Sequence, residues 1–296
     1  MSLVATLISH PDRPALDAAT LSHAAQSLAS PGAPVVLAPG VAVDITCTAD
    51  APIVEIEARL REALAGSAVD LVVQEAEERR KHLFLADMDS TMIGQECIDE
   101  LADFVGAKAV VAEITERAMR GEIAFEPALR ERVALLKGLP ESIADEVIRE
   151  RLTLTSGGPE LVRTMRANGA YTALVSGGFT LFTAKIGAMV GFDEHQSNLL
   201  VVRDGRLTGE VAEPILGKEA KRANLDRLRQ ARGLAASDTM AVGDGANDLA
   251  MLGEAGLGVA YRAKPAVAAA ARMRVEHGDL TALLYAQGYR NQDFVR

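Results

Sequence analysis

The stretch Leu83-Phe84-Leu85-Ala86-Asp87-Met88-Asp89-Ser90-Thr91 sets four apolar residues directly before two acids and two hydroxyls. A short apolar run bounded by polar residues reads as a buried strand, and the end of such a strand is where open α/β sheets bind ligands. Two later segments repeat the pattern. Tyr171-Thr172-Ala173-Leu174-Val175 runs into Ser176-Gly177-Gly178-Phe179, and Thr239-Met240-Ala241-Val242 runs into Gly243-Asp244-Gly245-Ala246-Asn247-Asp248. Between them, on a helix predicted over 219–231, lies Lys221. Acids, a hydroxyl and a lysine delivered to one sheet edge suit phosphoryl transfer. A carboxylate can attack phosphorus only if cations, here Mg²⁺ and a lysine, neutralise the repulsion between two anions.

Working outward, strand 82–88 is followed by a long stretch whose apolar residues recur at helical spacing. Ile98, Leu101, Ala102 and Val105 come first, then Val110, Ile114 and Ala118, then Leu129, Val133 and Leu136. Gly138-Leu139-Pro140 breaks the series before a further helix. After this insertion the sequence predicts helix 158–168, strand 171–176, helix 179–190 and a hairpin with Asp204-Gly205 at its tip. Helix 219–231, strand 239–242, helix 247–254, strand 257–260, an alanine-rich helix at 263–272 and a last helix over 279–286 follow.

Upstream, apolar run 2–9, helix 16–28, strands 34–38 and 41–47 about Pro39-Gly40, helix 51–65 and strand 69–74 give the order βαββαβ. That is the ferredoxin-like plan. Regulatory domains of the ACT type share it with many unrelated modules, so packing, dimerisation and amino-acid sensing all stay open for it. The mixed charge run Glu77-Glu78-Arg79-Arg80-Lys81 reads as a solvated connector. Residues 1–78 and 79–296 are therefore expected to be separate domains.

The chain has 296 residues with 49% hydrophobic and 24% charged, enough for a substantial globular core. A formal net charge of −10 argues against a nucleic-acid partner, which needs a basic face. Only two cysteines occur, Cys47 and Cys97, which fits a reducing compartment better than a disulfide scaffold. No segment reaches the roughly 20 apolar residues of a membrane span, and no signal peptide is evident, so a cytoplasmic protein with no membrane partner is expected.

Together these motifs resemble the haloacid dehalogenase superfamily of aspartate-nucleophile phosphatases, and within it the phosphoserine phosphatase family. The resemblance rests on Asp87 to Thr91 continuing to Glu96-Cys97-Ile98-Asp99-Glu100, on Phe125-Glu126-Pro127-Ala128-Leu129-Arg130-Glu131-Arg132-Val133, and on Gly243 to Asp248. It spans roughly residues 80–285 and not the first eighty. It implies an α/β fold with a Rossmann-like parallel sheet and a helical cap, approximately 92–155, inserted after strand one. The small ferredoxin-like (ACT-like) α+β domain would precede both.

Asp87 is the candidate nucleophile, since its carboxylate could form an aspartyl-phosphate and split hydrolysis into two displacements. Asp89, two residues on in an extended segment, faces the same side and is the candidate general acid and base. Asp244 is the best remaining carboxylate for Mg²⁺, with Asp248 positioning metal-bound water or Lys221. The resemblance adds a metal contact through the Asp89 carbonyl. Ser176 and the Gly177 amide suit an anion at a strand-to-helix turn. Lys218 and Lys221 share one helix face, and the resemblance selects Lys221 to stabilise the phosphoryl oxygens. It likewise assigns Glu96 to a substrate ammonium and Arg132 to a substrate carboxylate, a task suited to a planar guanidinium. Asn247 would be a further substrate contact, and Met119 and Phe125 the apolar cap wall. The implied substrate is O-phosphoserine. Alternatives are another small phosphomonoester such as phosphohomoserine, or a non-catalytic amino-acid-sensing protein, against which intact Asp87, Asp89, Lys221 and Asp244 argue. All the matched motifs follow Lys81, so the first domain should be dispensable for the chemistry, with a role as a homodimer contact or sensor left to it.

Overall fold

The computed structural model describes residues 2–77, 79–119 and 122–296, with the side chain of Met119 outside the described set. Two sheets organise them. The first comprises β1 (Ser2–Ile8), β2 (Val35–Ala38), β3 (Ala42–Thr48) and β4 (Asp70–Glu75), antiparallel in the order β2-β3-β1-β4. Helices α1 (Ala18–Gln26) and α2 (Ile53–Ala63) connect them in the βαββαβ order. Leu3, Ala5 and Leu7 of β1 pack with Ile56 and Leu60 of α2, whereas Ile8 and Val72 join the core of the rest of the chain. Both faces are covered, which is why β1 is apolar except for Ser2 and the buried Thr6 instead of alternating.

The second sheet is parallel, in the order β12-β11-β10-β5-β6-β7. Its strands are β5 (Leu83–Ala86), β6 (Tyr171–Phe179), β7 (Glu194–Asn198), β10 (Thr239–Gly243), β11 (Leu257–Tyr261) and β12 (Met273–Val275). From β5 the chain builds outward on one side through β6 and β7, then returns to β10 on the other. The strand order thus reverses beside β5, and a crevice opens between the carboxyl ends of β5 and β10. Asp87 and Asp244 follow those two ends.

Helices α3 (Cys97–Phe104), α4 (Lys108–Met119), α5 (Phe125–Ala134) and α6 (Ile143–Glu150) form the insertion between β5 and β6. Its two linkers pair: Gly94 N–H donates to the Thr153 carbonyl and Thr155 N–H to that of Met92, both at 3.0 Å. Helices α7 (Gly158–Ala167) and α8 (Thr180–Val190) flank β6. The hairpin β8 (Leu200–Arg203) and β9 (Arg206–Val211) turns at Asp204 and Gly205, whose φ of 50° and 71° fit a type I′ turn. Helices α9 (Lys218–Ala231), α10 (Leu249–Glu254), α11 (Pro265–Ala270) and α12 (Ala282–Ala286) complete the chain.

Three boundaries depart from the sequence prediction. Strand β6 runs on to Phe179, the alanine-rich helix is shorter than predicted (Pro265–Ala270) and is followed by the unpredicted strand β12, and β7 is a strand of Glu194-His195-Gln196-Ser197-Asn198 with no apolar residue. Edge position explains β7, because only one of its sides pairs within the sheet.

The two sheets are joined by buried polar contacts. Asp70 of β4 is 3% exposed and accepts backbone N–H groups of Glu276 (2.9 Å), His277 (3.2 Å) and Gly278 (2.7 Å). Arg272 donates to Glu57 (3.0 Å) and to the Val73 carbonyl (2.7 Å), and Arg79 to Asp44 (2.6 Å).

Candidate active site

The Asp87 amide donates to the Val242 carbonyl at 3.0 Å, so β10 fixes the start of the loop after β5. Met88 to Met92 then wrap into one wide turn, closed by Ile93 N–H on the Met88 carbonyl (3.1 Å). The backbone is extended at Asp87 and Asp89, as the sequence predicts, and turns at Ser90, where φ is +55°. A left-handed serine is strained. Here its hydroxyl donates to Glu96 at 2.7 Å.

Asp89 accepts the Cys97 amide on Oδ1 (2.9 Å) and the Ser176 hydroxyl on Oδ2 (3.3 Å). The Gly178 N–H in turn donates to Ser176 Oγ at 2.9 Å. A Cβ on Gly178 would lie 2.8 Å from Asp89 Oδ2, so only glycine lets the end of β6 approach this closely. Cys97 itself is buried, and burial followed by the Asp89 charge pushes its thiol well up, which suits packing and not reactivity.

Lys221, the fourth residue of α9, is 2% exposed. Its Nζ lies 2.7 Å from Asp87 Oδ2 and 2.6 Å from Asp248 Oδ1. Lys218, one turn earlier, is exposed, so burial separates two lysines that helix periodicity could not. Asp248 Oδ2 accepts the amides of Asp244 (3.2 Å) and Gly245 (3.0 Å), folding the loop around its own carboxylate. Asp244 is half-buried and accepts the Thr91 hydroxyl at 3.3 Å.

One oxygen from each of Asp87, Asp244 and Asp248 lies within 4.8 Å of the others. Burial, then the Asp248 charge, pushes Asp87 well above the usual carboxylate range, with Lys221 pulling the other way. Burial and Asp248 raise Asp244 too. For Lys221 burial opposes the charge, yet Asp87 and Asp248 outweigh it and its pKa rises. One fixed ammonium thus faces three carboxylates. A hard cation with oxygen ligands fits that deficit. Asp248 already takes three hydrogen bonds with no exposure, which leaves Asp87 and Asp244 as the more available ligands. Asp89 stands apart from this cluster, and burial, against the Cys97 and Ser176 hydrogen bonds, raises its pKa toward the protonated form.

Arg132 and Phe125 both belong to the inserted helical unit, on α5. Arg132 on α5 is half-buried and donates to the Ala128 carbonyl (3.2 Å) and the Thr115 hydroxyl (3.3 Å). Among the described residues no carboxylate lies within ion-pair distance of it. The Phe125 ring comes 3.8 Å from the Cβ position of Gly177 and 3.5 Å from that of Gly217, roofing the Ser176 loop. Met119, the other expected wall residue, has its side chain outside the described residues. Asn247 is half-buried with its carboxamide folded back over Gly245, 2.3 Å from the Cβ position there. No hydrogen bond joins Asn247 to the other candidate residues among those described.

Two contributors carry no sequence signal of their own. Thr91 is legible only as part of its motif. Asn198 ends a polar strand, where one more polar residue carries no signal.

A parallel sheet flanked by helices, with a buried lysine and an acidic cluster gathered at its central strand ends, marks a hydrolase class built on a Rossmann-like fold. The chain belongs to the haloacid dehalogenase-like hydrolase family, whose model matches residues 84–253. Phosphoserine phosphatase of Haemophilus influenzae is 48% identical over 202 residues, 68% of this chain and 64% of that protein, so the match spans a little under two thirds of the relative. A HAD family hydrolase from Salmonella enterica serovar Typhi superposes with a TM-score of 0.86 at 28% identity, covering 96% of this chain and 98% of its own. A phospho-aspartyl intermediate analogue of phosphoserine phosphatase gives a TM-score of 0.64 at 41% identity, covering 70% and 98%.

Proposed function

We propose that this chain hydrolyses O-phospho-L-serine to L-serine and phosphate through an aspartyl-phosphate on Asp87, as the last step of serine biosynthesis. The observation that carries it is Lys221, buried between Asp87 (2.7 Å) and Asp248 (2.6 Å) with Asp244 alongside. Asp87 attacks phosphorus, the bond to the serine oxygen breaks, and Asp89 gives that oxygen its proton. Asp89 then takes a proton from the water that displaces phosphate from Asp87, an acid-then-base role its raised pKa favours. Lys221, Ser176 and the Gly177 amide hold the phosphoryl oxygens. Mg²⁺, held by the side chains of Asp87 and Asp244 and the Asp89 carbonyl, would supply the charge that keeps Asp87 ionised against burial.

The choice of leaving group draws on the phosphoserine phosphatases among the relatives. Glu96 and Arg132 support it, as one anion and one cation without an ion-pair partner among the described residues, for the two ends of an amino acid. In the same reading residues 1–78 form a domain of their own, the insertion over 92–155 is a cap, and the homodimer is a question for light scattering. Two buried free cysteines favour a cytoplasmic setting.

The deciding experiment is phosphate release from L-phosphoserine, with and without Mg²⁺, against phosphothreonine, phosphohomoserine, glycerol phosphate and sugar phosphates. Preference for phosphoserine, abolished by chelation and by Asp87→Asn, is expected. Full activity after exhaustive chelation, or substantial activity in Asp87→Asn, would refute the mechanism, and preference for another ester would refute the substrate.

A further inference from the structure

The Ser176 loop is a break in the sheet. Between Val175 and Phe179 of β6 three residues, Ser176 to Gly178, face the single residue Ser197 of β7, so they leave the ladder. A bulge of this size strands backbone groups that must find partners elsewhere. Asn198, the last residue of β7, supplies one. It is 1% exposed, and its Nδ2 donates to the Gly177 carbonyl at 2.9 Å and to the Leu216 carbonyl at 3.3 Å. Its Oδ1 accepts the Leu216 N–H at 2.7 Å. The amide orientation follows from the partners, since the flipped group would set oxygen against two carbonyls and NH₂ against an N–H.

Leu216 and Gly217 lead directly into α9, which carries Lys221. One side chain therefore ties the phosphate-facing bulge to the entrance of the lysine helix, and the Phe125 ring lies over both joined segments at Gly177 and Gly217. The geometry points to Asn198 as a positioning residue that fixes the spacing between the Ser176–Gly177 loop and Lys221, a role that rests on the proposed phosphoryl chemistry. Its hydrogen bonds run only to main-chain atoms of Gly177 and Leu216 among the described residues. Its removal should weaken phosphate recognition and catalysis equally for every phosphoester, because a small misplacement of catalytic groups costs about 10²-fold.

The test compares Asn198→Asp and Asn198→Ala with the wild type. Asn198→Asp keeps the shape and the acceptor for Leu216 N–H but removes both donated bonds and sets a carboxylate against two carbonyls. Both kcat/KM for p-nitrophenyl phosphate and kcat/KM for phosphoserine are expected to fall about 10²-fold per folded enzyme, by the same factor, and the inhibition constant of orthophosphate to rise about tenfold. A merely structural role would lower Tm and leave these constants unchanged in the folded fraction. Folded variants within threefold of wild type, a loss confined to phosphoserine, or failure of both variants to fold would overturn the assignment. A wild type that cleaves p-nitrophenyl phosphate but not phosphoserine would count against the substrate reading instead, and the comparison at Asn198 would still stand.

Discussion

Asp248→Asn removes one charge and almost no volume from the centre of the site. Asp248 accepts Lys221 on one oxygen (2.6 Å) and two loop amides on the other (3.2 and 3.0 Å), with no solvent access. An amide cannot serve both sides. With its oxygen toward Lys221 its NH₂ meets the amides of Asp244 and Gly245; reversed, it meets the ammonium. Breaking a buried ion pair costs about 3–5 kcal/mol, and since Lys221 keeps Asp87 as a partner the lower end, about 3 kcal/mol of stability, is expected. Losing the aim of a charge-stabilising group costs about 2.7–4 kcal/mol of transition-state energy, roughly 10²–10³-fold in kcat. Steady-state assays on phosphoserine and p-nitrophenyl phosphate, with thermal melts alongside, read both quantities. Because Lys221 serves the phosphoryl group, both substrates should lose the same factor. Activity within tenfold of wild type, or a loss seen with phosphoserine alone, would show that Asp248 does not hold Lys221 for catalysis.

Other expectations concern selectivity, pH and the first domain. Arg132→Ala should cost phosphoserine roughly 2–5 kcal/mol of transition-state binding while p-nitrophenyl phosphate, which lacks the carboxylate, loses far less; equal losses would give Arg132 a structural task. The Glu96 carboxyl reaches solvent, yet the protein crowding it, then the Asp89 charge, pushes its pKa up to about 7, with the Ser90 hydrogen bond opposing. It is neutral below that pH and cannot attract an ammonium, so KM for phosphoserine should rise as pH falls through about 7. Glu96→Gln should flatten that limb, and an unchanged profile in the variant would exclude it. A chain starting near Glu78 keeps every candidate site residue but opens to water the amides of Glu276 to Gly278 that Asp70 holds, losing charge-assisted hydrogen bonds worth about 1.5–3 kcal/mol each. It should melt lower than the full chain, with Mg²⁺-dependent activity of the folded fraction within about tenfold; a folded but inactive product would mean that the first domain completes the site.

What could be read in the sequence depended on whether a residue's task was local. Strands β5, β6 and β10 are buried on both faces and announced themselves as apolar runs; the acids after β5 and β10 were legible because a strand end fixes where the next residue goes. The polar edge strand β7 and the three-residue β12 gave no such signal, since neither shows the continuous apolar burial of the central strands. Lys221 needed the third dimension, because Lys218 satisfies the same helical spacing and only the packing of α9 against β5 buries one and exposes the other.

The connector at 77–81 shows the limit from the other side. Its charges read as solvated, yet Arg79 reaches the buried Asp44, while Asp70, predicted only as a strand residue, anchors a loop some two hundred positions away. Long-range polar contacts of this kind have no periodicity to betray them. Where the partner is a backbone group, as for Asp70, its identity is not encoded in the sequence at all. Asn198 belongs with them: its three partners are all main-chain atoms, so neither its neighbours in the chain nor the residues it bonds could have marked it in advance.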